Sequence, residues 1–209
     1  DLYDEWLEKV GDDVDAFFPV ADTPIGRIGT LLAFDGKFPE AGRALALNGA
    51  EIIYRGGEFE LHRRYGYTEI MNRAHAVNNS CYVIAPSNGP KFMDLTDDRP
   101  SMTGSVSGGG MIVNYRGQML CQITNTNVTY AAAMINIQEL REYRSKASVY
   151  TLPYTTPEMW ARIYSSIADK YQYPKNSHLD EPSLDYQGRK KRMRDIVQKM
   201  IESSTIKGP

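Results

Sequence analysis

One stretch, GTLLAFDGKFPEAGRALALNGAEIIYRGGEF from Gly29 to Phe59, constrains this chain more than any other. An apolar run ends near Ala33 and Phe34 and breaks into a Gly-Lys-Phe-Pro turn. Pro39 then suits a first helical turn, Ala41, Ala44, Leu45 and Asn48 share a face, and Asn48-Gly49 reads as a C-cap. This predicts a helix over 39–48, after which AEIIYR returns as a buried strand. Strand, helix and strand joined this tightly can only make a parallel β-α-β unit, with the right-handed crossover that chirality favours.

The flanking segments extend that unit. Leu2, Tyr3, Trp6, Leu7 and Val10 recur at helical spacing and predict a short helix over 1–10 that stops at Gly11. AFFPVADTPIGRIGTLLAFD reads as a hairpin turning at Thr23-Pro24-Ile25-Gly26. A longer helix is expected from Glu60 to Asn79, with Leu61, Tyr65, Thr68, Met71, Ala74 and Ala76 along it, followed by the strand CYVIAPSN. The Gly-, Pro-, Asp- and Ser-rich stretch 89–109 reads as a long surface loop of the kind from which functional lids are drawn. GGMIVNYRGQMLCQIT predicts a hairpin with Asn114 to Gly117 as its turn, and YAAAMINI one more strand. After Arg141 the prolines of TLPYTTPEMW and QYPKNSHLDEPSL suggest an extended arm. Residues 187–203 close as a helix with Met193, Ile196, Val197, Met200 and Ile201 as its apolar stripe. The expected architecture is α/β, with a mixed sheet, helices on one face and a second sheet against the other.

Composition removes several function classes. With 209 residues and 42% hydrophobic content the chain can bury a core, and its formal net charge of −2 provides no global field to draw nucleic acid or an anionic membrane. No apolar run reaches the roughly 18 to 20 residues of a membrane span. Cys81 and Cys121 lie in apolar, strand-like runs without C-x-x-C spacing and read as small hydrophobes in a reducing cytoplasm rather than as metal ligands or relocated nucleophiles. His62 and His75 do not share a helix face and His178 lies far along the chain, so a zinc site is not supported. The basic cluster GRKKRMRD, Gly188 to Asp195, lacks interleaved aromatics and reads as the solvated face of a docking helix.

The tip of the first strand has the layout of a catalytic elbow, a strand presenting one residue at a sharp turn, but the residue there is Ala33. Around it, Asp35 and Glu40 are candidates for proton transfer; their structural alternatives are to hold the turn and to occupy a helix start where negative charge is favoured. Arg55, Gly56, Gly57 and Glu58 follow the next strand at its C-terminal end, where α/β sheets place their ligand crevice. They are candidates to line a substrate site, the alternative being a turn that needs glycine conformations.

IGTLLAFDGKFPEAGRALALNGAEIIYR resembles the nucleophile segment of the nitrilase superfamily of carbon-nitrogen hydrolases. The resemblance continues through MNRAHAVNNSCYVIAPSN, GGGMIVNYRGQML and AAAMINIQELREYR, spans about residues 15–165, and is closest in character to aliphatic amidases and formamidases. It implies an α-β-β-α sandwich. It also implies hydrolysis of small non-peptide carbon-nitrogen bonds through a Cys nucleophile, a Glu base and a Lys that stabilises negative charge, with no metal or organic cofactor. The nucleophile position falls on Ala33, and Phe34 would supply the oxyanion N–H. The family's Glu and Lys precede the segment that matches from Asp1 onward, so the chain reads as the C-terminal portion of such an enzyme. Residues 1–165 would belong to the hydrolase domain, and 166–209 would form an arm and helix docking on it or on a partner subunit. An alanine methyl cannot form a thioester, so the chain as written is expected to be inactive by this route, its alanine being either native or an engineered replacement. The expected partners are a small amide or nitrile and further copies of the chain in a homo-oligomer, with no nucleic acid and no membrane. The alternative is a catalytically inactive relative acting in ligand binding or assembly.

Overall fold

The computed structural model describes residues 3–57, 66–87, 109–124, 129–146, 150–168, 170 and 186–208. The chain divides into two compact units, Val14–Tyr154 and the pair of segments Asp1–Asp13 and Thr155–Pro209.

The larger unit is built on one six-stranded sheet whose strands lie in sequence order: β1 (Val20–Thr23), β2 (Gly26–Leu32), β3 (Ile52–Gly56), β4 (Tyr82–Ala85), β5 (Met111–Val113) and β6 (Met119–Gln122). The pairs β2/β3 and β3/β4 are parallel and the other three antiparallel, so the sheet is mixed as expected. The first hairpin closes where Thr23 Oγ1 donates to the Gly26 carbonyl at 2.6 Å and accepts the Ile25 N–H. Two helices make the parallel crossovers. Of the helices in this unit, α2 (Val14–Phe17) precedes the sheet, α3 (Pro39–Leu47) joins β2 to β3, and α4 (Tyr67–Asn79) joins β3 to β4. The predicted helix over 39–48 is therefore present, with Pro39 in its first turn and Asn48 as its C-cap.

Strand alternation divides the sheet into two faces. Leu31, Ile53, Val83, Ala85, Met111 and Val113 meet Ala41, Leu45, Ala46 and Ala76 from α3 and α4. Small residues let the layers approach closely: a Cβ on Gly29 of β2 would stand 2.8 Å from Leu45 Cδ2. On the opposite face Ile52, Tyr82 and Tyr115 bury Leu140 of α5 (Ile137–Lys146). Asn136 starts that helix by accepting the Glu139 N–H on Oδ1, and its own N–H donates to the Tyr82 hydroxyl. Arg144 near the helix end donates to the Ser80 and Ala50 carbonyls, and Arg141 pairs with Glu51 through two bonds of 2.6 and 3.1 Å.

Three expectations change. The run 130–136 alternates in burial, with Ala131, Ala133 and Ile135 half-buried, but it is not a strand, because no ladder forms along it among the described residues. The inner face of α4 is Thr68, Asn72, His75, Ala76 and Asn79, with Ala74 exposed, so of the residues expected along it Thr68 and Ala76 are buried and the rest of the face is polar. Its predicted N-terminal part, with Leu61 and Tyr65, lies outside the described residues, as does nearly all of the 89–109 loop. TTPEMW does not begin an extended arm. In the smaller unit it starts α6 (Pro157–Ala168), where Thr156 precedes a proline at the first helical position and Glu158 sits in the first turn.

The smaller unit also contains α1 (Tyr3–Val10), which ends at Gly11 with φ +74°, and α7 (Tyr186–Glu202). Along α7 only Ile196 of the predicted stripe is buried, while Met193 and Val197 are exposed. Among the described residues no helix is long and apolar enough to cross a membrane.

Candidate active site

The site is assembled where β2 ends. Ala33 follows Leu32 directly and has φ +44°, a left-handed conformation that costs a non-glycine residue on the order of 1 kcal/mol. A 3-10 turn over Ala33–Lys37 then carries the chain into α3. The first N–H groups of such a turn have no partner within it, which is the property an oxyanion-binding backbone needs.

Two side chains hold the turn. Asp35 Oδ2 accepts the Leu32 N–H at 3.2 Å, so this carboxylate ties the turn back to the strand end. From α4, His75 Nε2 lies 2.9 Å from the Gly36 carbonyl. A carbonyl only accepts, so Nε2 carries the proton and donates. Burial holds His75 below its ordinary pKa; the Gly36 bond opposes that shift and the Arg55 charge adds to it.

The neighbouring strand completes the crevice. Leu32 pairs with Gly56, and Gly57 has φ +76°. A Cβ placed on Gly57 would stand 3.1 Å from Leu32 Cδ1 and 3.9 Å from the Ala33 methyl. Gly57 therefore stands directly beside Ala33 at the end of β2.

Arg55 does not line that crevice. It is 1% exposed and turns to the helix side of β3, where Nη1 donates to Asn72 Oδ1 at 2.7 Å. The correction follows from strand alternation: Tyr54, not Arg55, faces the other side of the sheet. Gly36 lies directly on the guanidinium, for a Cβ there would be 1.9 Å from Arg55 Nε. Arg55 is thus the floor under the turn. Glu40 is exposed in the first turn of α3, and Glu58 lies outside the described residues.

The rim is apolar. Leu32 is 66% and Phe34 62% exposed, Phe34 meets Phe38 edge-on at 5.4 Å, and the Lys37 ammonium lies 5.2 Å from the Phe34 ring centre. Cys81 is no relocated nucleophile: it is fully buried, and burial pushes its thiol up to about 11 although Arg144 opposes that rise.

The sequence reading missed Gly36, Gly42, Asn72 and His75 as parts of this site. Their signal was present. Thr68, Asn72, His75 and Asn79 recur at helical spacing, a polar stripe on a face that must be buried.

The sequence profile of the carbon-nitrogen hydrolase family matches residues 3–145. A deaminated glutathione amidase of Yersinia enterocolitica is 41% identical over 66 residues, covering 32% of this chain and 23% of that protein. The omega-amidase of Bos taurus is 27% identical over 134 residues, or 64% of this chain and 45% of its own length. The crystal structure of the Caenorhabditis elegans NitFhit protein superposes with a TM-score of 0.53 at 27% identity, covering 64% of this chain and 30% of that one. The chain spans less than half the length of the curated relatives it matches. With an elbow at the end of a parallel β-α-β strand and a family match across most of its length, this chain belongs to the carbon-nitrogen hydrolase family of the nitrilase superfamily.

Proposed function

We propose that this chain carries the nucleophile half of an amidase site for small, neutral aliphatic amides, with the nucleophile replaced by Ala33. The observation that carries the reading is Ala33 itself, a non-glycine residue in a left-handed conformation at the tip of β2 with Gly57 beside it. Strain of this kind persists where the surroundings over-determine it, and such places cluster at active sites. The names of the relatives, an omega-amidase and a deaminated glutathione amidase, support an amide as substrate.

With a cysteine at position 33, the thiolate would add to the amide carbon and the Phe34 N–H would stabilise the oxyanion. The C–N bond would then break with loss of ammonia, and water would hydrolyse the thioester to the acid. The same chemistry needs a Glu base and a Lys, which the other half of the site would supply. The methyl of Ala33 can form no C–S bond, so the chain as written holds an amide without turning it over by this route. That leaves ligand binding or assembly as the second reading, favoured by the same methyl. Self-association is part of the proposal, supported by Ile70 and Val77 exposed on α4. A cytoplasmic setting is part of it too, supported by two free cysteines.

The test is ammonia release from a panel of short amides, nitriles and carbamoyl compounds, comparing the natural reading frame with and without Ala33→Cys. Turnover in the Ala33→Cys form alone supports an amidase site silenced at one side chain. A folded but inert Ala33→Cys protein across the whole panel refutes it and favours the binding reading. Equal turnover in both forms refutes the role assigned to position 33.

A further inference from the structure

We propose that His75 is the positioning residue of the elbow, its Nε2–H fixing the Gly36 carbonyl and through it the turn that carries Ala33 and Phe34. The assignment of a role in amide chemistry rests on the proposed function; the mechanical role does not.

Three observations converge on it. First, the imidazole fills space that one absent side chain leaves. A Cβ on Gly42 of α3 would lie 2.2 Å from His75 Nδ1, while the Nε2 side of the same ring meets the Gly36 carbonyl at 2.9 Å. One ring therefore sets the spacing between the elbow turn and the helix that follows it. Second, the turn is clamped from below, with Gly36 against the Arg55 guanidinium and Arg55 held in turn by Asn72 Oδ1. Asn72 and His75 are one helical step apart on α4, so a single helix face supplies both supports. Third, the supported turn begins with a strained residue. Ala33 at φ +44° has a lower-energy conformation available to it unless its neighbours deny it. Asp35 denies it on the strand side and His75 on the helix side.

A histidine that merely fills the core differs from this one in a measurable way. Filling requires volume, whereas positioning requires a hydrogen-bond donor at the Nε2 place. His75→Gln keeps a donor of similar reach; His75→Leu keeps volume without one.

The experiment is backbone hydrogen exchange on the full chain, comparing both variants with the parent, and reading amides 33–38 against those of β4. The expected result is exchange at 33–38 at least tenfold faster in His75→Leu, beyond any change in β4, with His75→Gln restoring most of the protection. Loss of protection in step across both regions, or equal behaviour of Leu and Gln, overturns the proposal. If His75→Leu does not fold, imidazole ¹⁵N shifts of the parent decide: the Nε2–H tautomer is expected, and an Nδ1–H tautomer, which cannot donate to Gly36, overturns it. A second arm repeats the pair in the Ala33→Cys background and follows alkylation by iodoacetamide, itself a small amide. A tenfold slower reaction with Leu and recovery with Gln extend the role to the reacting atom. Changed exchange with no effect on an inert thiol leaves the positioning role standing and removes the amidase reading instead.

Discussion

Replacing Gly42 by alanine should change sign with the residue at position 75. Gly42 sits inside α3, where alanine is favoured over glycine by about 1 kcal/mol in a helix interior. Its backbone is not in the left-handed region, so no conformational reason opposes the change. Sterics do. The added methyl would stand 2.2 Å from His75 Nδ1, 2.8 Å from Cε1 and 3.1 Å from Asn79 Nδ2, and the ring is 5% exposed and tethered to Gly36. Forcing it aside incurs an overpacking cost of about 1–3 kcal/mol. Weakening the buried bond adds about 1 kcal/mol. Against the helix gain of about 1 kcal/mol, the net is a destabilisation near 2 kcal/mol, or a Tm lower by roughly 4–8 °C. In a His75→Ala background the obstacle is gone, and Gly42→Ala should become neutral or stabilise by up to about 1 kcal/mol. Urea unfolding followed by circular dichroism, with midpoints and m-values for the four proteins of the cycle, measures this directly. Equal destabilisation in both backgrounds, or a stabilised single variant, would falsify the steric account and with it the wedge assigned to His75.

Relief of the strain at the elbow should be visible as well: Ala33→Gly is expected to raise stability by about 0.5–1 kcal/mol, since the left-handed relief exceeds the unfolded-state entropy glycine adds; a lower urea midpoint would show that φ +44° carries no penalty. Native protein treated with a thiol reagent at pH 8 should react at half-exposed Cys121 and not at Cys81, whose burial keeps it protonated, and both should react once the chain is unfolded; rapid modification of Cys81 in the native state would contradict its packing. Stability should also fall on acidification through His75. Because its folded pKa lies below the ordinary value of about 6.5, the native state binds fewer protons there, so this contribution is complete above about pH 6.5 and is lost as pH drops further toward the folded value. The stability gap between parent and His75→Gln should therefore narrow from pH 7.5 to pH 5, and an unchanged gap would mean that His75 is not held neutral.

Much of this was legible because it is local. Pro39, the alanines of α3 and the Asn48-Gly49 end carry the helix signal within ten residues, and the apolar runs on either side carry the strands. Short connections then favour the parallel arrangement, and the end of the first apolar run places a sharp turn near Ala33. Two of the misreadings share a cause: each depended on a partner distant in sequence. The run 130–136 alternates as a strand does, but whether it is one depends on a ladder partner that no local pattern specifies. Arg55 looked like a crevice residue because it ends a strand; its place in the alternation of β3 turned it to the helix side, where Asn72 receives it.

The sequence by itself determined the β-α-β frame, the place of the turn and the chemical silence of its tip, since a methyl group is inert in any fold. Only the tertiary structure decided what holds that tip in a left-handed conformation. Gly36, Gly42, Arg55, Asn72 and His75 come from four different elements, and their meaning lies in distances of 2 to 3 Å that packing alone creates. A glycine in a helix reads as a defect until the ring that needs its space is brought against it.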